Sequence, residues 1–144
     1  MLDLTFYTLL HVRLSDPKIK LAENSNSGLL EYVRCCEALQ SSLDPYGFKL
    51  TVLTNDVQLL ARYSSKLEFE KIEFHLNVPT GIKFYSAHYK IDVFKYLSNK
   101  SGYSILLDCD IVCINEMPRA MELLINQNIP MYYDITNQIY PGNG

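Results

Sequence analysis

The sequence predicts an α/β domain with a mostly parallel sheet and helices on both faces, and three observations carry that expectation. Two near-continuous apolar runs, LTFYTLLHV and YSILLDCDIVCI, have the length and character of strands covered on both sides. Segments with helical apolar spacing alternate with the strand candidates, as right-handed β-α-β crossovers require. The 144 residues suit a single core, so residues 1–144 are read as one domain.

LTFYTLLHV is the first strand. RLSDPKIKLAENSNSG, polar and long for a connection, carries Pro17 and Gly28. LLEYVRCCEALQSSL repeats apolar residues at helical spacing through Leu29, Val33, Cys36 and Leu39 or Leu43, and DPYG ends it. FKLTVLTN is the second strand, with Asn55-Asp56 placed to cap a short helix VQLLARYSSKL. KIEFHL is a third strand candidate. After the VPTG turn, KFYSAHYKIDVFKYL reads as an amphipathic helix with Phe84, Ala87, Ile91, Phe94 and Leu97 along its inward side. YSILLDCDIVCI is the most apolar strand, EMPRAMELLI a further helix, and IPMYYDI one more strand. Ligands of such sheets sit beyond the carboxyl ends of the strands, so Thr8 to His11, Thr54 to Asp56 and Asp108 to Asp110 should share one rim.

Composition narrows the function. Hydrophobic residues make up 48% and charged residues 20%, the balance of a folding globule. A net charge of −3 without a basic run argues against nucleic acid as a partner. No apolar run reaches the roughly 20 residues of a membrane span, and Asp3 stands where an export signal would be basic, which points to a cytoplasmic protein without a transmembrane segment. Cys35, Cys36, Cys109 and Cys113 lack zinc-ligand spacing and read as buried free thiols.

The chemistry concentrates at Asp108 and Asp110, two residues apart near the end of an apolar strand, where alternation would direct both to one side. Buried carboxylates are costly unless paired or bound to a cation, and oxygen ligands suit magnesium or manganese. The competing reading has both acids solvated just past the strand end, and the pair alone divides the two evenly.

FYSAHYKIDVFKYLSNKSGYSILLDCDIVCINEMP resembles the core of the glycosyltransferases related to glycogenin and the bacterial lipopolysaccharide galactosyltransferases. Lys90 takes the basic helix position, SNKSGY the turn and ILLDCDIV the metal motif. The resemblance implies a GT-A, Rossmann-like nucleotide-diphospho-sugar transferase fold, a nucleotide-sugar donor that is usually UDP-linked, and a saccharide or glycolipid acceptor. It implies Mn2+ or Mg2+ on Asp108 and Asp110, with Lys90 contacting the donor. The first strand's loop and the end of the second would hold the nucleoside, which points to Thr8, Leu9, Leu10, Asn55 and Asp56. Tyr7 or Tyr85 could stack on a base, and no catalytic residue is assigned.

The chain stops before the family's acceptor region and its downstream metal-binding histidine, so a donor-binding fragment of a longer transferase is expected. Such a piece would be inactive or incomplete alone, could self-associate as a homo-oligomer, and could meet a membrane peripherally through a missing C-terminal part. DCDIV also resembles the nucleophile motif of haloacid-dehalogenase-like phosphatases, although those carry it on the first strand. A catalytically silent nucleotide-sugar or partner-binding module is the remaining alternative.

Overall fold

The computed structural model describes residues 4–13, 28–79, 82, 85–116 and 126–127. The chain divides into two compact units, Met1–Ile114 and Asn115–Gly144. Of the second unit only residues 115–116 and 126–127 are described. The expected helix EMPRAMELLI (but for Glu116), the strand IPMYYDI and most of the polar stretch after the first strand lie outside the described residues.

Among the described residues the first unit contains four strands: β1 (Leu4–Leu9), β2 (Leu50–Thr54), β3 (Glu68–Lys71) and β4 (Tyr103–Leu107). All pairings are parallel and the order is β3-β2-β1-β4. The helices are α1 (Gly28–Leu43), α2 (Val57–Ala61), α3 (Tyr85–His88) and α4 (Lys90–Leu97). The expectation of an α/β fold built on a parallel sheet is met. The chain runs outward from β1 through β2 to β3, then returns to the far side of β1 as β4. That reversal makes the β1–β4 boundary a topological switch point, where open parallel sheets leave a crevice beyond the strand ends.

Alternation sorts the sheet into two faces. Tyr7 and Leu53, with half-buried Leu9 and Leu106, pack with Ile72 against Val93 and Leu97 of α4. Register places Phe6, Thr8, Leu50 and Val52 on the opposite face, where α1 buries Leu29, Val33, Cys36, Leu39 and Leu43 and contacts β2. Helices thus cover both faces, as the apolar runs demanded. The DPYG signal becomes a 3-10 turn, Asp44–Tyr46, closed by Gly47 at φ 74°, a left-handed conformation that favours glycine. Gly102, at φ 80° in the turn before β4, does the same. No described helix is long and apolar enough to cross a membrane.

Three expectations need correction. The inward face of α4 is Val93 and Leu97, preceded by buried Tyr89, whereas Ile91 and Phe94 are 64% and 58% exposed. The helix breaks at Tyr89, so a stripe counted from Phe84 through Ala87 runs out of phase. The third strand is Glu68–Lys71, earlier than KIEFHL, and its charged EFEK sequence suits the end position it takes among the described strands. Finally, β4 ends at Leu107, because its ladder with β1 stops at the Thr8–Leu107 pair, and Leu10 donates instead to the Leu53 carbonyl (3.0 Å).

Candidate functional site

The carboxyl ends of β1, β2, β3 and β4 open on one rim, and most sequence-selected residues fall there. Asp108 and Asp110 emerge past the end of β4 into a turn and are exposed, with the Asp108 side chain at 59%. The solvated alternative therefore holds, and the argument from the cost of burying carboxylates falls away. What remains is position. Lys90, the first residue of α4, shares a side with inward-facing Val93 and Leu97, three and seven residues on. Its ammonium Nζ donates to Asp108 Oδ1 at 2.5 Å. The basic helix residue and the acidic motif thus meet beside the β1–β4 switch point.

Asn55 follows β2 and clips the segment after β1: the Val12 amide donates to Asn55 Oδ1 (2.7 Å), and Asn55 Nδ2 donates to the Val12 carbonyl (2.7 Å). Asp56 caps α2, its Oδ1 accepting from the Leu59 amide (2.9 Å). The turn-and-cap reading of these two residues is realised. Thr8 and Leu9 are residues of β1 rather than of a loop, and Leu10 follows the strand directly. Thr8 is fully buried, its hydroxyl making no hydrogen bond, and Leu10 is buried too, so that only half-buried Leu9 offers side-chain surface. Tyr7 belongs to the core and does not stack at the rim, and the Tyr85 side chain lies outside the described residues.

No family model, curated protein or solved structure matches the chain.

The rim also holds an aromatic wall that sequence reasoning did not find. His11 stacks on Tyr89 with ring centroids 3.9 Å apart and planes 11° apart, and Phe74 meets both rings edge-on at 4.9 and 5.1 Å. These residues come from β1's exit, α4's entry and the segment after β3, so no local periodicity announces them. Burial, with help from the Arg13 guanidinium, lowers the His11 pKa to about 4, leaving the imidazole neutral near pH 7. Beside this wall an open groove of about 370 Å³ is lined by His11, Asn55, Lys71, Phe74 and His75 among others. Tyr89 connects the two parts of the rim, since it is the residue before Lys90. The amides of His75 and Leu76 donate to Asp92 of α4 (3.1 Å each), holding the segment after β3 to that helix.

The cysteines are not uniformly buried as expected: Cys36 is, while Cys35, Cys109 and Cys113 are half-buried, and all are free thiols. Interaction with Cys109, together with burial, raises the Cys36 thiol pKa, and interaction with Cys36 lowers that of Cys109.

Proposed function

We propose that this rim binds a nucleoside diphosphate, as the donor site of a metal-dependent glycosyltransferase of GT-A type using a UDP-linked or similar sugar. The observation that carries the reading is the Lys90–Asp108 contact at the switch point, where a parallel sheet receives its ligand. Asp108 and Asp110 offer two solvent-facing carboxylates in one turn, a donor set that fits magnesium or manganese, which keep water and phosphate oxygens in their remaining positions. Among the described residues no group of three or more His, Cys, Asp or Glu side chains could hold a metal, so phosphate and water would complete the shell. Bound there, the cation would neutralise charge on the diphosphate leaving group.

Lys90 then has two partners in sequence. Without ligand its ammonium neutralises Asp108. When that carboxylate turns to a cation, Lys90 faces the diphosphate oxygens as a compact point charge, the usual role of lysine with phosphate. The groove between Asn55 and Phe74 offers an aromatic edge and amide hydrogen bonding to a base. The position of DCDIV just past the fourth strand rather than at the first favours this reading over the phosphatase alternative.

The test is a titration of UDP into wild-type protein and Lys90→Ala in the presence of manganese. Hydrogen bonds to charged groups contribute about 1.5–3 kcal/mol, and exposure reduces that, so an affinity loss of about threefold to tenfold is expected. Stability should change by no more than about 0.5 kcal/mol, because the ion pair is largely solvated. Unchanged UDP affinity in Lys90→Ala would sink the assignment.

A further inference from the structure

We propose that Asp92 is a positioning residue for the groove beside the aromatic wall, holding the segment after β3 in the shape that receives a base. This inference rests on the nucleotide reading of the rim and adds to it a residue outside the set of Lys90, Asp108 and Asp110.

Residues 71–75 form one continuous side of the groove. The sheet fixes the start of that side: the β2–β3 ladder ends at the Thr54–Lys71 pair, and the Ile72 amide donates to the Thr54 carbonyl (2.9 Å). Further on, the backbone is held from outside the sheet. The amides of His75 and Leu76 both donate to Oδ2 of half-buried Asp92, at 3.1 Å each, and the Val78 carbonyl accepts from Arg13 Nη2 (2.7 Å). Successive amides of an extended chain point to opposite sides, so two neighbours converge on one oxygen only where the chain bends. Asp92 therefore holds a bend where this side of the groove ends.

The same turn of α4 also grips the segment by a side chain. Tyr89, three residues before Asp92 and so on its side of the helix, meets Phe74 edge-on at 5.1 Å and stacks on His11. One helical turn thus holds residues 74–76 by a ring and by a carboxylate, while Lys90 between them reaches Asp108 (2.5 Å). The base part of a nucleotide meets the gripped segment, and its diphosphate meets Lys90. Loss of the Asp92 oxygen releases the segment, so the fit to the base suffers and the hold on the diphosphate does not.

What the two amides require is an acceptor rather than a charge. Both bonds end on one oxygen, so the side-chain carbonyl of an asparagine can accept them, whereas alanine cannot. Either replacement removes the negative charge from the first turn of α4, so the helix-dipole contribution cancels between the two variants.

The experiment titrates UDP and, separately, pyrophosphate into wild type, Asp92→Asn and Asp92→Ala in the presence of manganese. Asp92→Ala should lose about threefold to tenfold in UDP affinity, the size expected for partly exposed hydrogen bonds to a charged group, and should bind pyrophosphate as wild type does. Asp92→Asn should bind both as wild type does. Hydrogen exchange at the His75 and Leu76 amides should quicken in Asp92→Ala alone, which separates loosening of this segment from loosening of the whole chain. UDP affinity unchanged in Asp92→Ala would overturn the proposal, as would an equal loss for pyrophosphate, or a loss in Asp92→Asn as large as in Asp92→Ala. Each of those results leaves UDP binding by wild type in place, whereas a wild type that binds no UDP removes the nucleotide reading itself and the role of Asp92 with it.

Discussion

Leu53→Ala should destabilise the protein by about 2–5 kcal/mol, the largest single-site effect expected in the chain. Leu53 is fully buried in β2, which has partners on both sides, and packs with Tyr7, Ile72, Val93 and Leu97. Its backbone is held by the ladder to β1 and by the Leu10 amide, so the strand cannot move in to fill the space left by the missing atoms. A cavity then adds to the lost transfer energy. The same leucine underlies α4, whose first residue is Lys90, so the variant should also loosen the Lys90–Asp108 contact. Urea denaturation of Leu53→Ala beside Leu76→Ala, an exposed control, measures the effect. A loss below about 1 kcal/mol would contradict the packing described for the α4 face.

The second large effect is a loss of stability on mild acidification, caused by His11. Its pKa lies at about 4 in the folded protein against 6.5 ordinarily. The unfolded chain therefore binds the proton first, so stability is complete above about pH 6.5 and falls as the pH drops toward 4. Between pH 7 and 5, before most carboxylates titrate, the loss should be on the order of 1 kcal/mol once the half-exposure of the ring is discounted. His11→Phe keeps a ring against Tyr89 and removes the titration. Denaturation midpoints of the variant should stay level over that interval while those of wild type fall. Parallel profiles for the two proteins would show that His11 is not held neutral by its surroundings.

The sequence made the sheet legible where the backbone is covered on both sides. LTFYTLLHV and the stripe of α1 left few other arrangements, and the Asn55-Asp56 pair signalled a cap by residue type alone. It failed where tertiary contacts decide. On α4, apolar residues occur on both sides of a short helix, and only the seating of Tyr89 on His11 and of Val93 and Leu97 on the sheet fixes which side turns inward. The apolarity of ILLDCDIVCI says nothing about where its ladder ends, which depends on β1. That Lys90 and Asp108 would approach each other was legible because both lie, 18 residues apart, in the one continuous stretch that carries the family resemblance. The aromatic wall was not, since its three rings are brought together from distant segments.

The central claim is that Asp108 and Asp110 hold a cation that carries a nucleoside diphosphate, and calorimetric titration of UDP tests it most directly. Wild type should bind UDP at least about tenfold more tightly with manganese than with a chelator, a difference of about 1.4 kcal/mol. Asp110→Asn keeps the size of the side chain and removes one charged ligand, so it should bind UDP equally under the two conditions. Equal UDP binding by the wild-type protein with manganese and with chelator, or no binding under either condition, would contradict the account.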